Sequence, residues 1–209
     1  MVDNIYIIRH DNKKQMNEGE NEMRTKNMTL AAIFAAMTAI GGFIKIPIPY
    51  VPFTLQIVAV FLAGCLLGSR LGALSQLLYV SIGLIGVPVF AEGGGLGYVL
   101  KPTFGYLIGF VLGAYVSGFI VERLKKHSII TLAAANFTAL LLVYTIGCIW
   151  LYAAMKFVVE KPLTIKQTIL YGFLIPVPGD IVLCMICSVL ASKILARLSA
   201  FPTGKGVSA

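Results

Sequence analysis

Long apolar stretches follow one another along this chain, with only short polar breaks between them. A helix that crosses a bilayer needs about 20 mostly apolar residues, and six stretches approach or exceed that length. They cover residues 28–44, 52–69, 71–91, 102–121, 128–155 and 167–192. Only 12% of the residues are charged and 58% are hydrophobic, whereas roughly a quarter are charged in soluble domains. The chain is therefore predicted to be an all-α integral membrane protein with six transmembrane helices.

The two ends of the chain differ from this six-helix membrane domain, which spans residues 23–199. Residues 1–22 hold five of the nine carboxylates and lack apolar periodicity, which predicts a disordered N-terminal extension. Residues 200–209 are predicted to be a C-terminal tail. Six spans place both termini on one side of the membrane. With the N-terminus inside, inner segments hold nine Lys or Arg and outer loops hold five, so both termini are predicted to be cytoplasmic.

On this topology three loops face outward, at residues 45–52, 88–102 and 156–166. The net charge of +8 comes from basic residues that punctuate the apolar runs. It is therefore interpreted as membrane topology rather than as a nucleic-acid surface.

The cysteines and histidines do not indicate a metal or redox site. All four cysteines lie inside apolar stretches, where a thiol behaves as a small hydrophobic group. Cys184 and Cys187 match a CxxC spacing only nominally, and His10 and His127 lie outside the apolar segments. We therefore predict no metal and no disulfide framework.

Asp180 is the sharpest single signal in the sequence. It lies near the middle of the sixth apolar stretch, directly after Pro176, Pro178 and Gly179. A carboxylate at the bilayer centre costs roughly 2.5–3.5 kcal/mol on insertion scales, and the two prolines remove backbone donors and interrupt the helix. Asp180 is interpreted as a ligand or ion contact, with a structural acid bonded to a neighbouring helix as the alternative.

Catalysis by Asp180 is a weaker alternative. Intramembrane aspartyl proteolysis needs two carboxylates that share a proton, and the other spans contain no Asp or Glu, while Glu92 lies in a loop. Glu122 and Glu160 lie at membrane borders beside lysines and need no special role. The chain has no Gly-x-x-x-x-Gly-Lys-Ser/Thr motif, so any ATP-driven step is assigned to another polypeptide. No catalytic residue and no cofactor are predicted.

The second outer loop is apolar and rich in glycine. It contains Phe90, Glu92, Gly93, Gly94, Gly95 and Tyr98. Irregular backbone at membrane depth is tolerated where it lines a cavity, so this loop is predicted to fold over a pocket. A merely tight connector is the alternative.

Small residues recur at helix-contact spacing in the first span, where Ala31 and Ala35 are offset by Ala32 and Ala36. Small residues let helix backbones approach closely in lipid. This face is predicted to serve a partner protein.

Several ordered motifs in residues 23–199 resemble one family, the BioY proteins, which are the biotin-binding S components of energy-coupling-factor (ECF) transporters. The motifs are Pro-Phe-Thr-Leu-Gln at 52–56, Gly-x-x-Leu-Gly at 64–68, Tyr79 with Gly83 and 86–90, the glycine-rich loop, 102–110, and Ile-Pro-x-Pro-Gly-Asp at 175–180.

The resemblance implies a six-helix S-component fold in the plasma membrane of a prokaryote. Such a protein captures biotin from outside and delivers it inward with a transmembrane coupling subunit and two ATPase subunits. Coupling would use the AxxxA face of the first helix. A related acid, such as a biotin precursor or lipoate, is the alternative substrate.

The resemblance also implies which residues bind the substrate. Asp180 matches the family's ligand aspartate, which would accept hydrogen bonds from ureido N–H groups. The other predicted contacts are Gln56, Phe90, Gly93, Gly94, Gly95, Tyr98, Thr103 and Tyr106, together with Glu92 and Lys101, which are assigned where the chain departs from the family.

The chain departs from the family where Leu183, Leu107 and Gly93 replace Lys, Arg and Asn of some members, so the usual cation for the ligand's carboxylate is missing. Lys101 is the predicted substitute and Lys45 the next candidate. Glu92 could share the ureido contact, pair with Lys101 or be solvated.

Overall fold

In the computed structural model of this protein, the backbone is described for residues 2–200 and the side chains for residue 19 and residues 21–197. Apart from Ala200, the tail predicted at residues 200–209 lies outside the described residues. The main helices are α1 (Val2–Phe43), α2 (Gln56–Ile85), α3 (Phe104–Leu124), α4 (Ile129–Phe157), α5 (Ile165–Ile169) and α6 (Val177–Ala200). The shorter elements are the antiparallel pair β1 (Lys45–Ile46) and β2 (Phe53–Thr54), a 3-10 helix (Leu96–Leu100) and a π-helical turn (Leu170–Leu174).

Five helical segments of the described chain are long and apolar enough to cross a membrane, one fewer than predicted. The difference lies in α2, which contains both the second and the third predicted spans. Gly68, at φ +82° and ψ −177°, interrupts α2, and no loop residues separate its two halves. The prediction of six separate helices is wrong in this respect, because the break between the second and third stretches consists of one glycine, Gly68.

The chain nevertheless reverses direction at Gly68. Gln56 at the start of α2 hydrogen-bonds the hydroxyl of Tyr79 near its end, although 23 residues of straight helix would separate them by roughly 35 Å. Gly72 packs against Ala63, whose carbonyl oxygen would lie 3.0 Å from a β-carbon at residue 72. The two halves of α2 are therefore antiparallel.

Glu122 of α3 holds this reversal. Its Oε1 accepts from the backbone N–H of Ser69 at 2.7 Å, and its Oε2 accepts from the Ser69 hydroxyl, also at 2.7 Å. A carboxylate at a helix N-terminus satisfies a donor that the helix cannot. The interpretation of Glu122 as a border acid without a role is wrong, because it caps the second half of α2.

Three connections lie together at one end of the bundle, here called the three-loop end. They are residues 44–55, residues 86–103 and residues 158–164. Lys45 donates to the carbonyl of Ala91 across the first two connections. The Gly68 reversal and residues 125–128 lie at the opposite end, where Ser192 of α6 bonds the carbonyl of His127. The membrane segment of α1 begins and α6 ends there as well, as an even number of crossings requires.

The helix α1 begins at Val2, well before its membrane segment, which starts at Asn21. The sequence predicts disorder for residues 1–22, whereas the described part of that extension, residues 2–22, is helical. The correction has a physical reason. A helix already nucleated in the membrane propagates at little cost, and residues 13–26 are rich in Lys, Glu, Gln, Met and Arg, which favour helix.

Candidate functional site

A cavity opens among the helices near the three-loop end. The interior space that water-sized spheres could fill is about 60 Å³, and about 580 Å³ lies between the walls when the open mouth is included. Most of the wall is apolar or aromatic. It is formed by Val51, Pro52, Phe53, Thr54, Gln56, Ile57, Ala91, Tyr98, Thr103, Tyr106, Leu107, Phe110, Val143, Tyr144, Pro176 and Asp180.

Asp180 lines this cavity in the first turn of α6, and its side chain is 8% exposed. Its two carboxylate oxygens differ. Oδ2 accepts a hydrogen bond from the hydroxyl of Tyr144 at 2.6 Å, while Oδ1 is buried without a hydrogen-bond partner. An unpartnered buried acceptor is costly. A ligand N–H or O–H donor in the cavity would satisfy it.

The segment that carries Asp180 is broken, as the prolines predict. The chain passes from α5 through the π-helical turn to α6, and Pro176 cannot donate to the carbonyl of Gly172 four residues earlier. The hydroxyl of Tyr106 on α3 donates to that carbonyl instead, at 2.7 Å. Tyr106 therefore compensates for the missing backbone donor and fixes the segment that presents Asp180.

Tyr144 is the important cavity residue that the sequence does not single out. It lies on α4, is 4% exposed, and packs edge-to-face with Phe173 at a ring-centroid distance of 5.2 Å. A buried tyrosine needs a partner for its hydroxyl, and a tyrosine inside an apolar stretch was the one sign in the sequence that could have pointed to Tyr144. The sequence could not say that the partner is Asp180.

Five of the predicted contact residues lie in the cavity wall: Gln56, Tyr98, Thr103, Tyr106 and Asp180. The hydroxyl of Tyr98 accepts from Thr103 Oγ1 at 3.2 Å. Burial raises the pKa of Tyr98 above its ordinary value of 10.0. Tyr98 therefore remains protonated at neutral pH and is a potential donor to a ligand.

The glycine loop, defined here as residues 86–95, contributes to the wall through Ala91 rather than through its glycines. The ring of Phe90 is buried against Gly83, 5.4 Å from the Tyr79 ring and 4.4 Å from the ring of the wall residue Tyr98, and does not itself line the cavity. Gly93 and Gly95 have φ of +114° and +99°, a conformation that favours glycine. Phe90, Gly93, Gly94 and Gly95 shape the loop and do not line the cavity, contrary to their predicted contact role.

Glu92 and Lys101 form an ion pair at 3.2 Å, with side chains about 40% exposed. Lys101 Nζ also donates to the Glu92 carbonyl at 3.0 Å. Of the three alternatives for Glu92, the structure has the pair with Lys101. Neither residue lines the cavity, and no Lys or Arg of the described residues does. Glu92 therefore does not form a second carboxylate beside Asp180.

The four alanines of α1 divide between two faces. Ala31 and Ala35 are 2% and 4% exposed and pack inside the bundle. Ala32 and Ala36 are exposed on the outer face. The predicted partner face is therefore half internal, and a partner could reach only Ala32 and Ala36.

The fold and the cavity together define a class: a multi-pass membrane protein that encloses a small-molecule site between its helices. The chain belongs to the BioY family, whose family model matches residues 13–200. The resemblance inferred from the sequence motifs is confirmed.

Named relatives and a solved structure agree with this assignment. A "Probable biotin transporter BioY" of Lysinibacillus sphaericus is 46% identical over 177 residues, covering 83% of this chain and 88% of the relative. A "Biotin transporter BioY" of Thermotoga maritima is 35% identical over 170 residues, covering 81% and 95%.

The solved structure is that of an S-component for biotin from an ECF-type ABC transporter. It matches with a TM-score of 0.74 at 27% identity, covering 84% of this chain and 94% of the other. The expected S-component fold is thus confirmed. The family consists of transporter components, in agreement with the expectation that the protein is not an enzyme.

Proposed function

We propose that this protein captures biotin from the extracellular side of a prokaryotic plasma membrane. It delivers biotin inward together with an ECF module, made of a transmembrane coupling subunit and two ATPase subunits. The binding cavity of this protein needs no cofactor, and ATP is used by the partner subunits.

The unpartnered Oδ1 of Asp180 carries this proposal. Biotin has a ureido ring with two N–H donors, a thioether ring and an aliphatic chain ending in a carboxylate. Asp180 Oδ1 accepts a ureido N–H, in a charge-assisted bond worth roughly 1.5–3 kcal/mol. Apolar walls such as Phe53, Leu107 and Phe110 surround the rings and the chain.

The carboxylate of biotin is directed toward the loops. Lys101 remains the proposed cation for it, with Lys45 as the second candidate, since both bind carbonyls of the glycine loop that forms part of the wall. Binding of a carboxylate would draw Lys101 away from Glu92. Exposed ion pairs contribute only about 0–1 kcal/mol, so this exchange is inexpensive.

Titration of the purified protein tests the substrate. Trp150 is the single tryptophan, and its indole donates to the carbonyl of Lys101 at 3.2 Å, two residues before Thr103 in the wall. Its fluorescence should therefore respond to biotin, and calorimetry gives the affinity. We expect a Kd below about 1 μM, or about −8 kcal/mol.

Two analogues separate the alternatives. Desthiobiotin keeps the ureido ring and should compete with biotin, whereas lipoate has no ureido N–H for Asp180 and should not. Tighter binding of desthiobiotin or of lipoate than of biotin would favour the alternative substrate. Well-folded protein that binds neither biotin nor desthiobiotin would overturn the proposal.

A further inference from the structure

Besides the helices and the turn residues Thr103 and Pro176, two longer non-helical segments contribute to the cavity wall. One is residues 51–54 before α2, and the other is the glycine loop, through Ala91. A ligand held between these walls leaves the cavity faster when a wall segment moves aside. These two segments lack the continuous backbone hydrogen bonding of the helices, so they are the parts of the wall that can move most easily.

Three carbonyl groups of the glycine loop are held by side chains from outside it. The bonds are Tyr79 Oη to Val89 O at 3.3 Å, Lys45 Nζ to Ala91 O at 2.5 Å, and Lys101 Nζ to Glu92 O at 3.0 Å. The two lysines are exposed or half-exposed, and water can replace their bonds. Tyr79 is only 1% exposed, so its bond is the one that water cannot replace.

Tyr79 is also linked to the other wall segment. Thr54 Oγ1 donates to Gln56 Oε1 at 3.2 Å, Gln56 Nε2 donates to the Tyr79 hydroxyl, and that hydroxyl donates to Val89. The direction of donation is consistent along the whole series. Tyr79 itself does not line the cavity, although Thr54 and Gln56 do.

The end of α1 closes over this series of bonds. A β-carbon at Gly42 would lie 3.1 Å from Gln56 Nε2 and 3.3 Å from the Val89 carbonyl oxygen. The link is thus enclosed by α1 on one side and by α2 on the other. Such an enclosed network loses much of its stabilisation when one member is removed.

We infer that Tyr79 is a positioning residue that ties residues 51–54 to the glycine loop through Gln56, and so sets how slowly the bound ligand leaves the cavity. This inference rests on the proposed function for the identity of the ligand. The tie itself is a property of the protein without ligand.

The first test is the rate of biotin release. Labelled biotin is bound and chased with excess unlabelled biotin, using wild type, Tyr79→Phe, Gln56→Met and the double variant. Loss of the hydroxyl should speed release by about tenfold, with a smaller change in the association rate. Because both residues belong to one series of bonds, the double variant should release biotin more slowly than the product of the two single effects predicts.

Tyr115→Phe, which removes an exposed hydroxyl on α3, is the matched control and should behave as wild type.

The second test is hydrogen exchange of ligand-free protein. A general loss of stability would raise exchange throughout the protein, whereas loss of this link should raise it in the glycine loop. The amides of Phe90, Gly93 and Gly95 are bonded within the loop or to Gly83. Tyr79→Phe should raise their exchange while α4 keeps its wild-type exchange. The same result is expected for Gln56→Met, which provides a second variant should Tyr79→Phe fold poorly.

The outcomes separate the two proposals. Wild-type rates of biotin release and of loop exchange in Tyr79→Phe would overturn the inference that Tyr79 links the two wall segments. A uniform rise in exchange over the whole protein would overturn it as well. Failure of wild type to bind biotin would overturn the proposed function, while loop exchange would still decide whether Tyr79 holds the two segments together.

Discussion

At the level of single residues, Asp180 is tolerated in an apolar bundle because Tyr144 satisfies one carboxylate oxygen, while the cavity keeps the other available. Asp180→Asn keeps the shape of the side chain and removes its charge. We expect biotin affinity to fall roughly 10- to 100-fold, the equivalent of about 1.5–3 kcal/mol for a charge-assisted bond, as measured by calorimetry.

Glu92→Gln is the matched control, because it makes the same change at an acid outside the cavity. It should alter affinity by much less. Full affinity of Asp180→Asn would show that Oδ1 does not contact the ligand.

Lys101 allows a second prediction at this level. Lys101→Ala should weaken binding of biotin but not of biotin methyl ester, which has no carboxylate for the cation to attract. Competition titrations with both compounds measure the difference. Equal losses for acid and ester would instead indicate that Lys101 acts on the loop through Glu92, and Lys45→Ala would then be the variant to examine for a carboxylate contact.

The sequence could identify Asp180 from the energetic cost of an acid among apolar residues, a cost that depends only on local composition. It could not identify Tyr144 or the capping role of Glu122. Their partners lie 36 and 53 residues away, and nothing local distinguishes them from other tyrosines and border acids. The pair of Glu92 and Lys101 was one of three alternatives, and only the conformation of the loop decides among them.

At the level of elements, the junction between α5 and α6 depends on a side chain from another helix. Tyr106→Phe would leave the Gly172 carbonyl without its donor, at a cost of about 1–3 kcal/mol for a buried group. We expect a lower unfolding temperature in detergent and weaker biotin binding, because the segment presenting Asp180 loosens.

Tyr152→Phe on α4 is the control, since no hydrogen bond of that hydroxyl joins it to this junction. Biotin should restore part of the lost stability through mass action. A Tyr106→Phe protein with wild-type stability would show that the Gly172 carbonyl finds another donor.

Prolines and glycines in the sequence indicated where a helix ends more reliably than how it connects to the next helix. Pro176 and Pro178 correctly marked a break before Asp180, because proline cannot donate to the preceding turn. The antiparallel halves of α2 were expected as two separate spans, at residues 52–69 and 71–91. Their direct joining through Gly68 follows from a backbone conformation and from the cap by Glu122, neither of which composition reveals.

At the level of the whole molecule, the expected membrane domain and its three loops at one end follow from the spacing of apolar runs. The arrangement of the cavity does not, because it depends on which side chains meet between distant helices. The faces of α1 show the same limit. The AxxxA spacing located small residues but not which of them point outward.

Coupling to a partner can be tested on that helix. Ala36 is exposed, and Ala36→Leu would place a larger side chain on the face proposed to meet the coupling subunit, where small residues allow close approach. We expect biotin uptake by cells and co-purification of the ATPase subunits to fall, while calorimetric biotin affinity of the isolated protein stays unchanged.

Two further alanine-to-leucine variants serve as controls for Ala36→Leu. Ala134→Leu adds the same volume on an exposed position of α4 and should leave uptake intact. Ala35→Leu overpacks a position that is 4% exposed, at a cost of typically 1–3 kcal/mol, and should lower stability as well as uptake. If Ala36→Leu transports biotin at the wild-type rate, the partner docks elsewhere, because a contact that requires small residues could not tolerate leucine.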